Sequence, residues 1–371
     1  MTGNYTIRDT SKLLSPSLVI FREIVRRNLD AMVAMAGSPD RLRPHVKTHK
    51  MPAVVQMVEA MGIHRHKCAT IAETEMVAQA GGRDVLMAYP LIGPNVARLV
   101  ALADKYPSTT FRATVESEAA ARALSVANTI EASRKPISVL VDLDVGMGRT
   151  GVALDSAERL YRLVSTLPGL EPGGLHAYDG QIRDADPADR IRSATPGVEA
   201  VLRIRDRLLA SGLSIPRLVL GGTPSFPIHA ALDEPNVECS AGTAPFYDAG
   251  YAAKFPDLPF TPAALVLTRV ISGPRGNRIT LDLGHKAIAA DPAGDRLRFI
   301  DLPGAKLGPQ SEEHLVVEAP DAARYPEGTP LLAIPTHVCP TCALHAFAYV
   351  IEGGEVVDRW EVAARDRVIG V

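Results

Sequence analysis

The sequence predicts an α/β protein built as a (βα)8 TIM-type barrel followed by a β-rich C-terminal domain. Its 371 residues exceed a typical single domain but fit one such barrel with an appended domain. Residues 38–250 alternate short β-branched runs with longer segments of helical periodicity, which is the pattern of repeated βα units around a parallel sheet. From about residue 262 onward, short strand-like runs are separated by Gly and Pro turns, which indicates a second, strand-rich domain.

Eight runs are predicted as the barrel strands. In chain order they read RPHV, RHKCA, DVLMA, TFRATV, ISVLVDLD, GGLHA, RLVLG and VECSA. Helices are predicted between them, such as AETEMVAQAGG, which ends on glycines, and SEAAARALSVANT, which begins after Ser117 as its N-cap. Eight βα units favour a closed barrel over an open sheet.

The domain division follows from these elements. Residues 20–250 form the predicted barrel, whereas residues 1–19 and 251–371 form the β-rich domain. Strands of that domain are predicted in RVISGPRGNRITLDLG and YVIEGGEVVDRWEVAA. The N-terminal run SLVIF precedes the first barrel strand and is a candidate to pair with it.

Composition excludes several classes of partner. The 40 Lys and Arg nearly balance 42 Asp and Glu, so no basic field indicates nucleic acid or an anionic membrane. No stretch approaches the roughly 20 apolar residues that span a bilayer. The chain has four cysteines, too few for a secreted disulfide framework. We expect a cytoplasmic protein with reduced thiols that acts on a small molecule.

Polar and glycine-rich segments follow the predicted strands, where active sites of such barrels lie. Lys47 follows the first strand, GGTPS follows the seventh and AGT the eighth. The last two loops often bind phosphate, because glycines let backbone N–H groups approach an anion and threonine hydroxyls add donors. One Gly-Gly-Thr is usually a turn, but two such loops at the expected strands predict a phosphate site. Its predicted residues are Gly222, Thr223, Gly242 and Thr243.

A lysine and a phosphate site at one barrel mouth predict pyridoxal 5′-phosphate as the cofactor. The lysine amine forms a Schiff base with the aldehyde, and the phosphate anchors the other end. Lys47 is favoured over Lys50, because Lys47 directly follows the strand whereas Lys50 falls where the next helix starts. A solvated lysine is the common alternative. The nearby cations His45, His49 and Arg43 favour a neutral, nucleophilic amine at Lys47.

Six motifs spread over most of the chain occur together in one known family. They read RPHVKTHK, KCATIAETE, AYPLIGPN, DLDVGMGRTG, GGTPS and IPTHVCPTC. The chain thereby resembles the D-threonine aldolase and D-serine dehydratase family of fold-type III pyridoxal-phosphate enzymes, whose barrel is similar to the alanine racemase N-terminal domain. The resemblance implies a homodimer in which Lys47 holds the cofactor and Arg149 and Tyr178 contact it. Ala244 replaces an aromatic residue that family members often carry, and Tyr247 is a candidate substitute. The implied phosphate ligands are Gly222, Thr223, Gly242 and Thr243.

The segment HVCPTC, residues 337–342, is a candidate metal site. A zinc ribbon needs a second CxxC and a redox CxxC usually opens a helix, and the sequence shows neither context. In an extended segment, residues two apart point the same way, so His337 and Cys339 can meet one ion while Cys342 faces elsewhere. In isolation, a buried cysteine beside a surface histidine is the commoner arrangement. The resemblance favours the metal, because the family pairs a histidine with a ligand two residues on, and a thiolate favours zinc over manganese or magnesium.

The resemblance implies a lyase acting on D-3-hydroxy-α-amino acids and leaves two reactions open. Retro-aldol cleavage would convert D-threonine to glycine and acetaldehyde, whereas β-elimination would give a 2-oxo acid and ammonia. The run of motifs resembles the aldolases, and the aldolase is favoured. Cys339 is typical of the dehydratases, because known aldolases of the family carry aspartate there. A racemase is less favoured, because it needs a base on each face of the cofactor and the metal pair occupies the C-terminal region from which the second base would be expected. A non-catalytic cofactor carrier is less favoured, because single-barrel carriers lack the C-terminal domain.

Other conspicuous polar residues receive structural interpretations. Asp142 and Asp144 share a strand face and are expected to orient Arg149 or a loop. Lys286 and Asp291 are expected in a solvated turn, although their segment resembles a family stretch near the dimer interface and active site. Three lone histidines are expected to be packed or hydrogen-bonded, namely His64, His66 and His176.

Overall fold

The computed structural model describes residues 4–291 and 293–371, which fall into two compact units. The barrel unit comprises residues 32–47, 52–242 and 366–371. The strand-rich unit comprises the described parts of residues 1–31, 48–51 and 243–365. Within the described ranges, no helix combines the length and apolar character needed to cross a bilayer.

Helices and strands are labelled in chain order. The strands are β1 (Ser17–Phe21), β2 (Arg65–Cys68), β3 (Asp84–Met87), β4 (Thr110–Val115), β5 (Ile137–Leu143), β6 (Leu170–Ala177), β7 (Leu218–Leu220), β8 (Val237–Cys239), β9 (Ala264–Arg275), β10 (Arg278–Leu281), β11 (Leu297–Phe299), β12 (Lys306–Gln310), β13 (Leu315–Glu318), β14 (Pro330–Pro335), β15 (Phe347–Glu352) and β16 (Glu355–Glu361). The helices are α1 (Arg22–Ala36), α2 (Pro52–Ala60), α3 (Ile71–Gln79), α4 (Pro94–Lys105), α5 (Glu118–Thr129), α6 (Leu154–Thr166), α7 (Pro187–Ala210), α8 (Phe226–Ala230), α9 (Ala249–Lys254) and α10 (Val338–Leu344).

The barrel unit contains a parallel sheet in which β2 to β8 pair in sequence order. Helices α3 to α8 alternate with these strands, as the βα pattern predicted. The predicted caps are confirmed, since Ser117 Oγ accepts a hydrogen bond from the Ala120 N–H at the start of α5. At the end of α3, Gly81 adopts a φ of +91°, which an L-residue rarely adopts.

Residues 42–46 differ from the predicted first strand. They form only isolated parallel bridges, from Leu42 to Cys239 of β8 and from His45 to Lys67 of β2. The prediction of a regular strand here was wrong, because Pro44 has no N–H to donate to a ladder. The segment nevertheless hydrogen-bonds to both edge strands of the sheet, and Lys47 follows directly after it.

The strand-rich unit holds a sheet in the order β12-β13-β10-β9-β1-β15-β16, with β14 also paired to β9 and β11 to β14. Strand β1 runs antiparallel to β9 and parallel to β15. The expectation that SLVIF pairs with the first barrel strand was therefore wrong. All five residues of β1 are buried, which is typical of a strand inside a sheet rather than at its edge.

Arg43 forms a buried ion-pair network inside the barrel unit. Its side chain is fully buried, with Nε 2.5 Å from Glu238 Oε2 and a terminal nitrogen 2.8 Å from Asp84 Oδ1. Asp84 also accepts from Arg112. The pKa of Asp84 stays well below its usual range: burial opposes this, but the charges of Arg43 and Arg112 outweigh it. Arg43 is thus a paired core residue rather than an uncompensated cation beside Lys47.

Replacing Arg43 with methionine is expected to lower the free energy of unfolding by about 3 kcal/mol, because the buried Glu238 and the half-buried Asp84 lose a shared counter-ion. Urea denaturation measures this change. The matched control is Arg122→Ala, which removes an exposed pair with Glu118 and should cost about 0.5 kcal/mol or less. A loss at Arg43 no larger than the control would contradict the structural role of this network.

Candidate active site

Three cations surround one aromatic ring in the barrel unit. The Lys47 Nζ, Lys67 Nζ and Arg149 Cζ atoms lie 5.5, 5.7 and 5.0 Å from the centroid of the Tyr178 ring. We call Lys47, Lys67 and Arg149 the cation cluster. Lys47, Arg149 and Tyr178 were predicted from sequence, and they meet here because each follows the end of a barrel-unit segment. Lys67, on β2, was not predicted.

The loop that carries Arg149 is held by Asp144. The Asp144 carboxylate accepts backbone N–H groups from Gly146 at 2.9 Å and Gly148 at 3.0 Å. These two hydrogen bonds lower the pKa of Asp144, and the bond from Gly148 has the larger effect on it. The expectation that this aspartate orients the loop agrees with the contacts. Asp142 accepts a hydrogen bond from Thr150 of the same loop at 3.5 Å and also holds a histidine.

Asp142, His176 and Lys67 form a hydrogen-bonded row inside the barrel unit. Asp142 and His176 are register partners on β5 and β6, which places both side chains on one face. The Asp142 Oδ1 to His176 Nδ1 distance is 2.6 Å, and His176 Nε2 lies 3.5 Å from Lys67 Nζ. Burial lowers the pKa of His176, which favours the neutral ring. His176 is hydrogen-bonded, as expected for a lone histidine.

The first predicted phosphate loop lies against Tyr178. A Cβ added to Gly222 would lie 3.1 Å from Tyr178 Cε2, so glycine permits this close approach. The Gly222 N–H donates to Ser225 Oγ at 3.2 Å, and Ser225 Oγ donates to Asp179 at 2.7 Å. His229 Nε2 lies 2.7 Å from the other oxygen of Asp179. Thr223, also predicted, is buried in this loop.

The second predicted phosphate loop begins at Gly242. A Cβ there would lie 2.7 Å from the His45 Cβ, which leaves room only for glycine. In the strand-rich unit, the Thr243 Oγ1 lies 3.7 Å from Cys339 Sγ. Tyr247, the candidate substitute for a missing aromatic contact, is buried there with its hydroxyl donating to the Phe255 carbonyl at 3.3 Å. That hydroxyl is committed to the core of its own unit.

The HVCPTC segment is helical, which corrects the extended conformation assumed for it. His337 is the N-cap of α10, so Cys339 lies in the first helical turn and the CxxC does open a helix. A residue distant in the chain caps this helix, since the Val338 N–H donates to Asp248 Oδ2 at 3.1 Å. The local sequence therefore gave no signal for the helix start. Pro340 fits the first turn, where its missing N–H needs no partner. Burial raises the pKa of Asp248 to about 6.

His337 and Cys339 do come together, although not by strand alternation. A hydrogen bond to Cys339, assisted by Asp291, raises the pKa of His337 to about 9 against the opposing effect of burial. The His337 Nδ1 lies 2.8 Å from Asp291 Oδ2, a contact that orients the ring. The Thr48 Oγ1 lies 3.1 Å from Cys339 Sγ, and Thr48 is the residue after Lys47 in the chain. Asp291 was expected in a solvated turn and was missed as a partner.

The donor set fits a zinc-type ion. Zn²⁺ is commonly bound by an imidazole and a thiolate, here those of His337 and Cys339. A carboxylate that holds the other side of the imidazole, here that of Asp291, is also typical of zinc sites. Across residues 4–291 and 293–371, no three or more His, Cys, Asp or Glu side chains are grouped so as to hold a metal ion. Cys342 is fully buried, and burial raises its pKa well above the usual value, as expected for a structural cysteine.

Other conspicuous residues have structural partners. Lys286 is exposed and pairs with Glu312 at 2.8 Å, which agrees with a solvated turn. His64 and His66 both bond to Glu59, at 2.6 and 2.9 Å. These hydrogen bonds indicate that His64 and His66 are structural residues rather than ligands.

The barrel-unit residues fit a phosphate-bearing cofactor. Three basic side chains lie around one ring, so positive charges on them repel one another, and an anionic ligand offsets that repulsion. The glycine loop at Gly222 touches the same ring, and Lys47 supplies an amine beside it. A nucleophilic amine, an anion-favouring cluster and a glycine loop are the components that pyridoxal phosphate requires.

Comparison with known proteins agrees with this fit. Residues 20–241 match the family profile of the alanine racemase N-terminal domain, and residues 263–351 match a serine dehydratase domain. A D-threonine aldolase from an Arthrobacter species is 32% identical over 95% of this chain and 92% of its own length. The solved D-threonine aldolase from Filomicrobium marinum superposes with a TM-score of 0.87 at 31% identity, covering 95% of this chain and 96% of that one.

A dehydratase is also similar over nearly the full length. The solved D-threo-3-hydroxyaspartate dehydratase from Delftia sp. HT23 has a TM-score of 0.83 at 25% identity and covers 94% of this chain and 97% of its own. Solved variants of that enzyme replace a histidine, or a cysteine two residues further on, with alanine, and the cysteine variant is in a metal-free form. Since the first profile spans more than half of the chain, the protein belongs to the alanine racemase N-terminal domain family, among its pyridoxal-phosphate-dependent lyases.

Proposed function

We propose that the protein is a pyridoxal-phosphate- and divalent-metal-dependent D-threonine aldolase, which cleaves D-3-hydroxy-α-amino acids to glycine and an aldehyde. The observation that carries this proposal is the similarity to D-threonine aldolases along almost the whole chain. The cation cluster supports it physically, because both a cofactor phosphate and a substrate carboxylate are anions.

Each barrel-unit residue has a role in the proposal. Lys47 holds the cofactor covalently, Arg149 and Tyr178 position it, and the loops bind its phosphate through Gly222, Thr223, Gly242 and Thr243. Bound there, pyridoxal phosphate supplies an electron sink for bond cleavage at the substrate Cα. The network of Ser225 and Asp179 keeps the first loop in place, because both oxygens of the buried Asp179 are hydrogen-bonded.

The metal residues in the proposal are His337 and Cys339. These residues would hold a zinc ion through one imidazole and one thiolate, and the bound ion would supply Lewis-acid chemistry at the substrate β-hydroxyl. Asp291 orients the imidazole from its Nδ1 side. Manganese or magnesium are alternatives that the thiolate disfavours. A homodimeric assembly and a cytoplasmic location complete the proposal, on the family resemblance and the few cysteines.

A D-serine or D-threonine dehydratase is the second candidate. Cys339 favours it, because the Delftia dehydratase was studied through alanine variants of a histidine and of a cysteine two residues further on. The two reactions differ in the first bond broken: the aldolase needs a base at the β-hydroxyl, whereas the dehydratase needs one at the Cα proton. Both use the same cofactor and metal residues, so product identity separates them.

Product analysis on D-threonine with zinc or manganese tests the proposal. We expect acetaldehyde and glycine in equal amounts, with no turnover of L-threonine. The control is the Lys47→Ala variant under identical conditions. Formation of 2-oxobutanoate and ammonia without glycine would contradict the aldolase and support the dehydratase. Interconversion of D- and L-threonine would support a racemase, and cofactor binding without any product would support a carrier.

A further inference from the structure

Lys67 is a buried amine that the proposed function leaves without a role. It lies on β2 with 2% of its surface exposed, and its backbone N–H donates to Pro44 O in the segment that leads to Lys47. Its register partner on β3 is the apolar Leu86. A buried lysine in a barrel strand is unusual, because transfer of an ammonium from water carries a large desolvation cost.

The hydrogen bond of the Lys67 amine goes to an imidazole rather than to a carboxylate. The Asp142 carboxylate can only accept, so the neutral His176 ring carries its proton on Nδ1. The other ring nitrogen, Nε2, then accepts a hydrogen bond from Lys67. Both His176 and Asp142 are buried, so this row holds the amine at one position beside Tyr178. The contact supplies geometry without supplying a full counter-charge.

The charged groups that face Lys67 have opposing effects. Burial has the largest effect, and together with the charge of Lys47 it lowers the pKa of Lys67 to about 7. Arg43 acts in the same direction, whereas Asp142 and Asp179 oppose it. Arg149 lies on the same Tyr178 ring. An added negative charge within this group of cations would favour the protonated amine.

We propose that Lys67 is a proton-coupled cation of the cofactor site: binding of a phosphate-bearing ligand beside Tyr178 draws a proton from solvent onto its amine. The proton forms a new N–H bond at Nζ, and the row of His176 and Asp142 keeps the resulting ammonium in place. This inference rests on the cofactor site of the proposed function and adds a residue that the sequence motifs did not indicate.

The proposal predicts how affinity depends on pH. Well below neutrality Lys67 is already protonated, so binding takes up no proton there. At higher pH each binding event requires uptake of one proton from solvent, and the Kd should therefore rise by up to about tenfold per pH unit. A lysine with only a structural role would change the affinity without producing this slope.

The test uses pyridoxine 5′-phosphate, which has the ring and phosphate but no aldehyde to react with Lys47. Calorimetry near pH 8.5 in two buffers of different ionisation enthalpy counts the protons taken up, and we expect about one per chain in the wild type. Lys67→Met should take up almost none and bind about tenfold more weakly at neutral pH. Lys67→Arg should also take up almost none while retaining affinity, because arginine stays protonated. Lys135→Met, at an exposed site in the barrel unit, is the matched control and should match the wild type.

Three outcomes would overturn the inference. They are equal proton uptake by the wild type and Lys67→Met, a wild-type Kd that is flat between about pH 7.5 and 9.5, and no binding of the phosphate-bearing probe. The wild-type pH series needs no variant, so poor folding of Lys67→Met leaves the test intact. Failure of the proposed function is distinct, since it appears as missing pyridoxal phosphate absorbance or missing D-threonine cleavage, not as a changed proton count.

Discussion

The Lys47→Ala enzyme is expected to lose at least about a thousandfold in lyase activity, because the amine proposed to hold the cofactor covalently is removed. The protein should still fold, since Lys47 is only half-buried in a turn. The visible absorbance of the lysine-bound cofactor should disappear. A small primary amine added to the solution should restore part of the activity, because it replaces the missing nucleophile.

The structure provides a rival amine that makes this prediction sharper. Lys67 lies almost as close to the Tyr178 ring as Lys47 does, 5.7 against 5.5 Å. Borohydride reduction of the wild type followed by peptide mapping should place the cofactor label on Lys47. The control is Lys50→Gln, two residues before α2, which should keep both the label and the activity. A label on Lys67 would refute the assignment.

Replacement of His337 by alanine is expected to have the second-largest effect. Metal content should fall from about one ion per chain to near zero, because one imidazole and one thiolate are the protein ligands proposed. Activity should fall by about a hundredfold or more, since the substrate β-hydroxyl would lose the proposed Lewis acid. Elemental analysis of the dialysed protein measures the first effect, and product assays with added zinc measure the second.

The motif offers its own control, because its two cysteines differ in environment. Cys339 contacts His337 and Thr48, whereas Cys342 is fully buried in α10. Cys342→Ala should therefore retain the metal while Cys339→Ala loses it. Cys339→Asp should shift the preference from zinc toward manganese, because a carboxylate is the harder ligand. Retention of a full complement of metal by His337→Ala would show that the ion binds elsewhere.

Local patterns were sufficient for much of the fold and for part of the site. The alternation of strand-like and helix-like runs predicted the order of strands β2 to β8. Strand and helix periodicities can be told apart within a few residues, so this prediction needs only local sequence. Ser117 predicted the start of α5, because an N-cap acts on a backbone N–H only three residues away. The topological rule that loops after parallel strands gather at one edge predicted Lys47 at the barrel mouth, whereas its meeting with Arg149 and Tyr178 was implied by the family resemblance.

Two of the errors have a different physical origin, because each depends on a distant partner. The HVCPTC segment is helical through a cap from Asp248, and SLVIF joins β9 and β15 of the strand-rich unit. Asp248 and the strands β9 and β15 are too far along the chain from these segments for a local sequence pattern to include them. Lys67 carried one usable signal, a charge at an inward position of a strand.

The sequence by itself determined the class of fold, the family and the amine beside the predicted phosphate loops, because these depend on short-range periodicity and on motifs of fixed spacing. Only the tertiary structure decided which groups surround that amine. The row of Asp142, His176 and Lys67 comes from three strands, β5, β6 and β2. Electrostatic effects on a proton depend on distance and burial rather than on position along the chain, so this part of the site became visible only in the folded protein.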